Sequence, residues 1–324
     1  MKKATKIWLI TAGALVLAGI IIFAGAMAAL GRSFSVQGET MLETAKEEYE
    51  ITDSFDSLSI SADEDDIQLI PSDSEACRVV CYGRENSQHT VQVKDHTLEI
   101  GTQGAEKWYE HLSLFSVGSP KITVYLPKEK YGSLLIAGGT GDVDIPKDFG
   151  FGSIEITAST GDVKCAASSD GAVKISVSTG DIHLKDVSAD AMELHASTGM
   201  IEAASVSCKG DIAAGVSTGE VLLSGVACGN LTSDGSTGDI ELKDTVAAGL
   251  ISVTRSTGDV RLVDSDAGEL LIKTSTGDVT GTLLSEKVFI TDTSTGDVSV
   301  PKTVLGGKCG ITTNTGDIYI SLKE

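Results

Sequence analysis

Acidic side chains recur at one position of this sequence and are its most regular chemical feature. A tetrapeptide of the type Ser-Thr-Gly-Asp occurs ten times, and nine copies end in a carboxylate. The nine residues are Asp142, Asp162, Asp181, Glu220, Asp239, Asp259, Asp278, Asp297 and Asp317. Carboxylate oxygens are the ligands that Ca²⁺ prefers, so the row is a candidate binding edge for divalent cations or for a cationic peptide.

The same residues also have a structural interpretation. An aspartate that follows glycine in a tight turn accepts hydrogen bonds from nearby backbone N–H groups. A Ca²⁺ site needs about six to eight oxygens, which one carboxylate per repeat supplies poorly. We therefore favour turn formation, keep Ca²⁺ as the weaker alternative and predict no other cofactor. The candidate cation ligands are Asp239, Asp259, Asp278, Asp297 and Asp317.

The six cysteines lack the CxxC or Cys/His spacing of a zinc site. Cys77 and Cys81 are close enough in sequence to bridge, and the sequence leaves open whether they form a disulfide or remain two free thiols. Cys208 and Cys228 each follow a repeat glycine by nine residues, so we expect them to stack in adjacent coils, as free thiols rather than as a disulfide. The other two are Cys165 and Cys309, which fall on inward positions.

Enzymatic chemistry has little support in the sequence. No nucleophile elbow, phosphate-binding loop or Ser/His/Asp signature occurs. Carboxylates are abundant, but nothing singles out one pair as acid and base. We therefore predict a protein that is not an enzyme. The alternative is a β-helix enzyme that acts on envelope polysaccharide.

The acidic residues lie within a repeat that dominates the chain. The repeat glycines follow one another at intervals of 19 or 20 residues. They are Gly141, Gly161, Gly180, Gly199, Gly219, Gly238, Gly258, Gly277, Gly296 and Gly316. A fixed period of this size is typical of a solenoid, and it is too short for a propeller blade.

Hydrophobic residues alternate with polar ones on both sides of each repeat glycine. Two residues after it, all ten copies have Val or Ile, as in Val163 and Ile182. Period-two alternation predicts two half-buried strands per repeat. The predicted fold is all-β, a single-stranded parallel β-solenoid of about 19–20-residue coils. Leu58, Ile60 and Ile67 fit the same register if Asp65 replaces the turn glycine.

The two ends of such a solenoid expose strand edges unless something covers them. Trp108, Tyr109 and Phe115 form an aromatic cluster that is a candidate cap or partner surface. At the other end, the last segment, 318–324, has no evident capping helix. We expect that end to be able to take a partner strand or a second molecule, which makes an end-to-end scaffold a further alternative.

The charge of the chain limits its partners. Acidic residues outnumber basic ones 46 to 25, for a net charge of −21. Binding to nucleic acid needs Lys and Arg at the phosphates, so we expect no nucleic-acid partner. A protein, a cationic peptide or an envelope component fits the acidic surface better.

An apolar stretch near the N-terminus predicts a membrane anchor. Lys2, Lys3 and Lys6 precede uncharged residues 7–30, which as a helix would span about 36 Å and cross a bilayer. A cleaved signal peptide is the alternative. The basic residues precede the span and the following flank is acidic, so we expect the remainder of the chain outside the cytoplasm.

These observations divide the chain into five segments. We predict a cytoplasmic tail at 1–6, a transmembrane anchor at 7–30 and a juxtamembrane linker at 31–52, with a short charged helix over 41–49. Residues 53–137 form an irregular β region, interrupted at 101–119, that caps and continues the solenoid. Residues 138–324 form the regular solenoid with ten repeats.

The sequence resembles a family of bacterial membrane-anchored proteins known as putative adhesins, which carry a domain of unknown function with β-strand repeats. The resemblance is carried by the basic start, the apolar span, the Lys121–Pro127 segment and the repeated Ser-Thr-Gly-Asp-Val coils. It implies an extracytoplasmic envelope role and no established catalytic residues. We therefore expect a non-enzymatic, adhesin-like or scaffold protein of the cell envelope.

Overall fold

The computed structural model describes residues 45–83, 88–103 and 120–324. These residues form strands, turns and loops, and none of them lies in a helix. No membrane-spanning helix therefore occurs in the described part of the chain. The predicted anchor at 7–30 and the aromatic residues Trp108, Tyr109 and Phe115 lie outside the described residues.

The strands are numbered in chain order. The region before the regular repeats contains β1 Ala45–Ile51, β2 Ser57–Ala62, β3 Asp66–Ser72, β4 Cys77–Gly83, β5 Gln88–Lys94, β6 Thr97–Gln103 and β7 Lys121–Pro127. The first repeats contain β8 Lys130–Thr140, β9 Val143–Ile145, β10 Gly150–Thr160, β11 Val163–Cys165, β12 Ser168–Ser169, β13 Ala172–Thr179, β14 Ile182–Lys185, β15 Ser188–Ala189, β16 Ala191–Thr198 and β17 Ile201–Cys208. The later repeats contain β18 Ile212–Thr218, β19 Val221–Cys228, β20 Leu231–Thr237, β21 Ile240–Lys243, β22 Val246–Thr257, β23 Val260–Lys273, β24 Val279–Leu283, β25 Lys287–Thr295, β26 Val298–Ser299, β27 Gly307–Thr315 and β28 Ile318–Leu322.

The parallel β-solenoid predicted from the repeat is confirmed, with about ten turns. Strands that precede the turn glycines form one parallel ladder, in which Ile154 of β10 pairs with Leu134 of β8 and with Val173 of β13. Strands that follow the glycines form a second ladder, in which Val163 of β11 pairs with neighbours on both sides. The inward columns of Val, Ile, Leu and Ala are buried and form one continuous core.

Successive coils approach so closely at the turn that only glycine fits. Gly180 has φ +140°, and a Cβ built on it would lie 2.1 Å from the carbonyl oxygen of Gly161. That φ is essentially closed to residues with a side chain, and the contact is far inside van der Waals range. The repeat glycine is therefore a requirement of the stacking.

Stacking order differs from chain order at the C-terminal end. β27 pairs with both β23 and β25, and β28 pairs with both β24 and β26. The last coil of the chain, β27 and β28, is thus inserted between two earlier ones. The expectation that segment 318–324 forms the open end is wrong, because the coil of β25 and β26 occupies that place.

The same departure occurs at the N-terminal end. β2 lies between β6 and β8, and β3 pairs with β7 and β9, so an early coil is again inserted between two later ones. The predicted register of this region is confirmed, since Leu58 pairs with Leu134 and Ile67 with Val143.

Antiparallel strands cover the N-terminal end. β5 pairs with β6, β4 pairs with β7, and β1 pairs with β4. Residues 45–49 belong to β1, so the expectation of a helix over 41–49 is wrong for that part. Glu47 and Tyr49 form hydrogen bonds with His89 of β5, which favours the extended conformation there.

Candidate functional site

The acidic residues of the repeat form a hydrogen-bonded ladder along the turns. In each step a backbone N–H donates to the Oδ1 atom of the aspartate one coil away: Asp162 N to Asp142 at 2.8 Å, and Asp181 N to Asp162 at 2.9 Å. The series starts in the first coils, where Asp142 N donates to Asp66 Oδ1 at 3.0 Å. One oxygen of each such carboxylate therefore holds the next turn in place.

The ladder runs in two parts. The first ends where Met200 N donates to Asp181 Oδ1 at 2.7 Å. Met200 has no carboxylate to offer the following coil, so the series resumes only at Asp239, which accepts from Asp259 N at 2.8 Å. The gap spans two coils, since Glu220, which occupies the aspartate position of the next repeat, also accepts no ladder hydrogen bond among the described residues.

The second part contains the five candidate cation ligands named from the sequence. They follow the stacking order Asp239, Asp259, Asp278, Asp317, Asp297, and each link is 2.8 Å long. Each residue lies one coil from the next, and the Oδ1 atoms of all but Asp297, on the outermost coil, accept a backbone N–H. These carboxylates have a structural use, but they accept N–H groups of the adjacent coil, 19 to 39 residues away, and not those of their own turn, as the sequence had suggested.

Within the described residues, one group of three places metal-ligand atoms within 4.8 Å of one another: Asp162, Asp181 and His183. His183 Nδ1 lies 2.9 Å from Glu202 Oε2, and Asp162 Oδ1 accepts the N–H of Asp181. Their atoms are thus used in contacts between coils, and the sequence had not singled out this group.

All six cysteines are free and buried. Cys77 and Cys81 both lie in β4, where four residues span about 13 Å of extended chain. A disulfide needs Cα atoms within about 7 Å, so the alternative of a bridge between these two is excluded by the strand they share. Burial raises the pKa of the Cys77, Cys81, Cys165 and Cys309 thiols to about 12, which leaves them protonated and unreactive at neutral pH.

A buried arginine interrupts the apolar column that precedes the turns. Arg255 is 2% exposed, and its Nη1 donates to the carbonyl oxygen of Val216 at 3.2 Å. Its Nε and Nη2 atoms have no partner among the described residues. The side chain fits because its stacked neighbour is Gly235, on which a Cβ would lie 1.6 Å from Nη1. Burial lowers the pKa of the guanidinium.

A histidine is buried between two carboxylates at the N-terminal end. His89 of β5 places Nε2 3.2 Å from Asp65 Oδ1 and Nδ1 3.3 Å from Glu47 Oε2. Tyr49 of β1 donates its hydroxyl to the His89 carbonyl oxygen at 3.0 Å. The hydrogen bond from Asp65 raises the pKa of His89 against the opposing effect of burial. These contacts fasten β1 and β5 to the turn between β2 and β3, in the inserted coil of this end.

Comparison with protein families identifies the domain. The family model described as Toastrack DUF4097 matches residues 55–223 and 209–324. The chain belongs to this family. The two matches together cover the described solenoid, and no curated protein matches the chain.

The chain is similar to several solved structures at low sequence identity. A putative adhesin from Parabacteroides distasonis is 14% identical with a TM-score of 0.51, over 75% of this chain and 98% of the other. A putative adhesin from Parabacteroides merdae is 15% identical with a TM-score of 0.48, over 75% and 98%. A putative lipid binding protein from Parabacteroides distasonis is 17% identical with a TM-score of 0.42, over 74% and 95%. The first of these likenesses shows the toastrack fold and nothing finer.

Proposed function

We propose that this protein is a non-enzymatic, adhesin-like scaffold of the bacterial cell envelope. Residues 7–30 hold it in the membrane, and the solenoid lies outside the cytoplasm, where it contacts protein or envelope partners. The observation that carries the non-enzymatic part is the hydrogen-bonded ladder. Its carboxylates hold the backbone of successive turns in place. An acid–base mechanism would need such carboxylates, and here they have a structural use.

The charge of the solenoid supports a contact role. Residues 138–324 hold 27 acidic and 13 basic side chains. Such a surface attracts cationic partners and repels other acidic molecules, and both effects weaken as salt is added. The Parabacteroides distasonis protein of the same fold bears the name of an adhesin, and that role agrees with the one proposed here.

The anchoring is tested with the full chain carrying a C-terminal epitope in bacterial cells. We expect the epitope in the membrane fraction and digested by protease added outside the cytoplasmic membrane, while a cytoplasmic marker stays intact. Replacing the apolar residues of 7–30 with polar ones should release the protein from the membrane. The proposal would be refuted if the epitope were protected from protease, or if the replacement left the amount of protein in the membrane fraction unchanged.

The absence of catalysis is tested separately. The full chain in detergent is incubated with cell-wall glycans, and we expect no change in their chain length. Turnover that a single aspartate substitution abolishes would show that the solenoid is an enzyme.

A further inference from the structure

Apolar side chains are exposed at the C-terminal end of the solenoid. Within the described residues, six of the ten large hydrophobic side chains that are exposed fall between 284 and 305. They are Leu284, Val288, Ile290, Val298, Val304 and Leu305. Val304 is 85% exposed and Leu305 68%. A concentration of this kind marks an interaction surface, whereas single exposed hydrophobic residues are ordinary.

The backbone at this end is open as well. β25 pairs with β27, and β26 pairs with β28. On their other edge, neither strand pairs with any strand in the part of the chain that the structure describes. An edge strand that carries Val288, Phe289 and Ile290 in succession is a ready template for further strand pairing. We define the apolar tip as residues 284–305.

Among the residues that the structure describes, the opposite end offers no such surface. Its outermost coil, β6 and β7, is covered by β5 and β4 in antiparallel pairing. A head-to-tail stack would have to displace these strands. Two molecules can instead meet tip to tip, in a closed arrangement in which the same surface faces itself.

Charge favours a second copy of the chain as the occupant. Residues 284–305 carry three acidic and two basic side chains, whereas residues 138–324 carry 27 and 13. Lys287, one of the two bases, pairs with Asp266 at 2.6 Å. In a tip-to-tip contact, two acidic molecules meet where the charges of each nearly balance. The more acidic remainder of each solenoid, the acidic flanks, stays away from the other copy. A cationic partner is drawn to those flanks instead.

We propose that two copies of this chain associate through their apolar tips. Leu284, Ile290, Val304 and Leu305 of each copy are buried against the other, and the open edges of β25 and β26 gain a partner. The proposal is independent of the envelope function above, since a monomeric tip would leave that function intact.

The test is the molar mass of the full chain in detergent micelles, measured by light scattering with the detergent mass subtracted. Ile290→Lys is compared with Leu135→Lys. Both residues are the sixth before a repeat glycine and both are exposed, 58% and 44%, but Leu135 lies in β8, which has a coil on either side. We expect two chains for the wild type and for Leu135→Lys. Ile290→Lys should raise the dissociation constant by at least about tenfold.

A one-chain mass for the wild type at the highest accessible concentration would overturn the proposal. A two-chain mass that Ile290→Lys leaves unchanged would overturn it too, because the association would then run through another surface, such as residues 7–30. Val304→Lys, at the most exposed of the six positions, guards against misfolding of the first variant and should also give single chains.

Cross-linking gives a second readout. All six native thiols are buried, so an introduced cysteine is the accessible one. Ile290→Cys should form a disulfide-linked pair on mild oxidation, and Leu135→Cys should not. Equal yields from the two variants would contradict a specific tip contact.

Discussion

The middle of the solenoid and its two ends obey different rules. In the middle, each coil stacks on the coils that precede and follow it in the chain, as β13 does on β10 and β16. At both ends a coil is inserted between two others, out of chain order. The repeat therefore specifies the shape of a coil but not its place in the stack.

The two ends also differ from each other. The N-terminal end carries antiparallel strands and the contacts of His89 with Glu47 and Asp65. At the C-terminal end, no strand of the described residues pairs with the outer edges of β25 and β26, and side chains such as Val304 are exposed. One end is closed by the chain itself, and the other is available to a partner.

The largest predicted effect separates the middle from the open end. Gly180→Ala and Gly296→Ala introduce the same clash, since a Cβ would lie 2.1 Å from a carbonyl oxygen of the adjacent coil in both cases. Gly180→Ala should cost about 3 kcal/mol, because the strained turn has coils on either side. Gly296→Ala should cost clearly less, because the outermost coil can detach alone. Urea unfolding measures the free energy of unfolding of both variants. Equal losses of stability would contradict the distinction between the middle coils and the open end.

The second prediction concerns the buried arginine of the middle coils. Arg255→Met keeps most of the side-chain volume and removes a desolvated charge with two unpartnered nitrogens. Stability should rise by about 1 kcal/mol, as for other replacements of buried ions by apolar residues of similar size. The control is Arg261→Met, whose side chain is 65% exposed and which should change little. A lower unfolding midpoint for Arg255→Met than for the wild type would show that the arginine stabilises the coil.

The third prediction tests whether the acidic ladder is structural. Asp259 accepts the N–H of Asp278 at 2.8 Å, and Asp259→Ala should cost about 1 kcal/mol. Asp297, on the outermost coil, accepts no ladder hydrogen bond from the described residues, so Asp297→Ala should cost only a few tenths. The difference in thermal midpoint between the two variants is the measurement. If Asp297→Ala were as costly as Asp259→Ala, the ladder would have another role.

The smallest predicted effect lies at the closed end and depends on pH. The pKa of His89 is raised, chiefly by its hydrogen bond with Asp65, so its contribution is complete below the pKa of an unfolded histidine and is lost as pH rises through the folded value. Wild-type stability should therefore fall relative to that of His89→Gln as the pH rises above about 6.5, the usual pKa of histidine. A His89→Gln curve parallel to that of the wild type would count against the contact.

Much of the fold was predictable because the relevant signal is local. The spacing of the repeat glycines and the alternation around them predict the coil, the inward columns and the turns. The role of Asp142 and its equivalents was predictable only in part, because turn chemistry accounts for a backbone N–H partner, whereas the N–H that donates belongs to the adjacent coil. Even the irregular early coil was predictable, since Leu58 and Ile60 carry the same pattern as the later repeats.

Insertion of coils at the ends was not predictable, because every repeat has nearly the same pattern and pairing partners at long range carry no sequence signal of their own. The strand over 45–51 was missed for a related reason: its charged residues are satisfied by β4 and β5, which lie far away in the chain. For Arg255 a signal did exist, namely that Gly235 occupies the same column one repeat earlier.

The most direct test of the difference between the two ends is hydrogen exchange of the full chain, at a concentration low enough to keep it monomeric. Amides of β25 and β26 should exchange first, and those of β6 and β7 should be protected nearly as well as those of the middle strand β16, because β5 and β4 cover them. If β6 and β7 exchanged as fast as β25 and β26, or if β25 were as slow as β16, the account of one closed and one open end would be wrong.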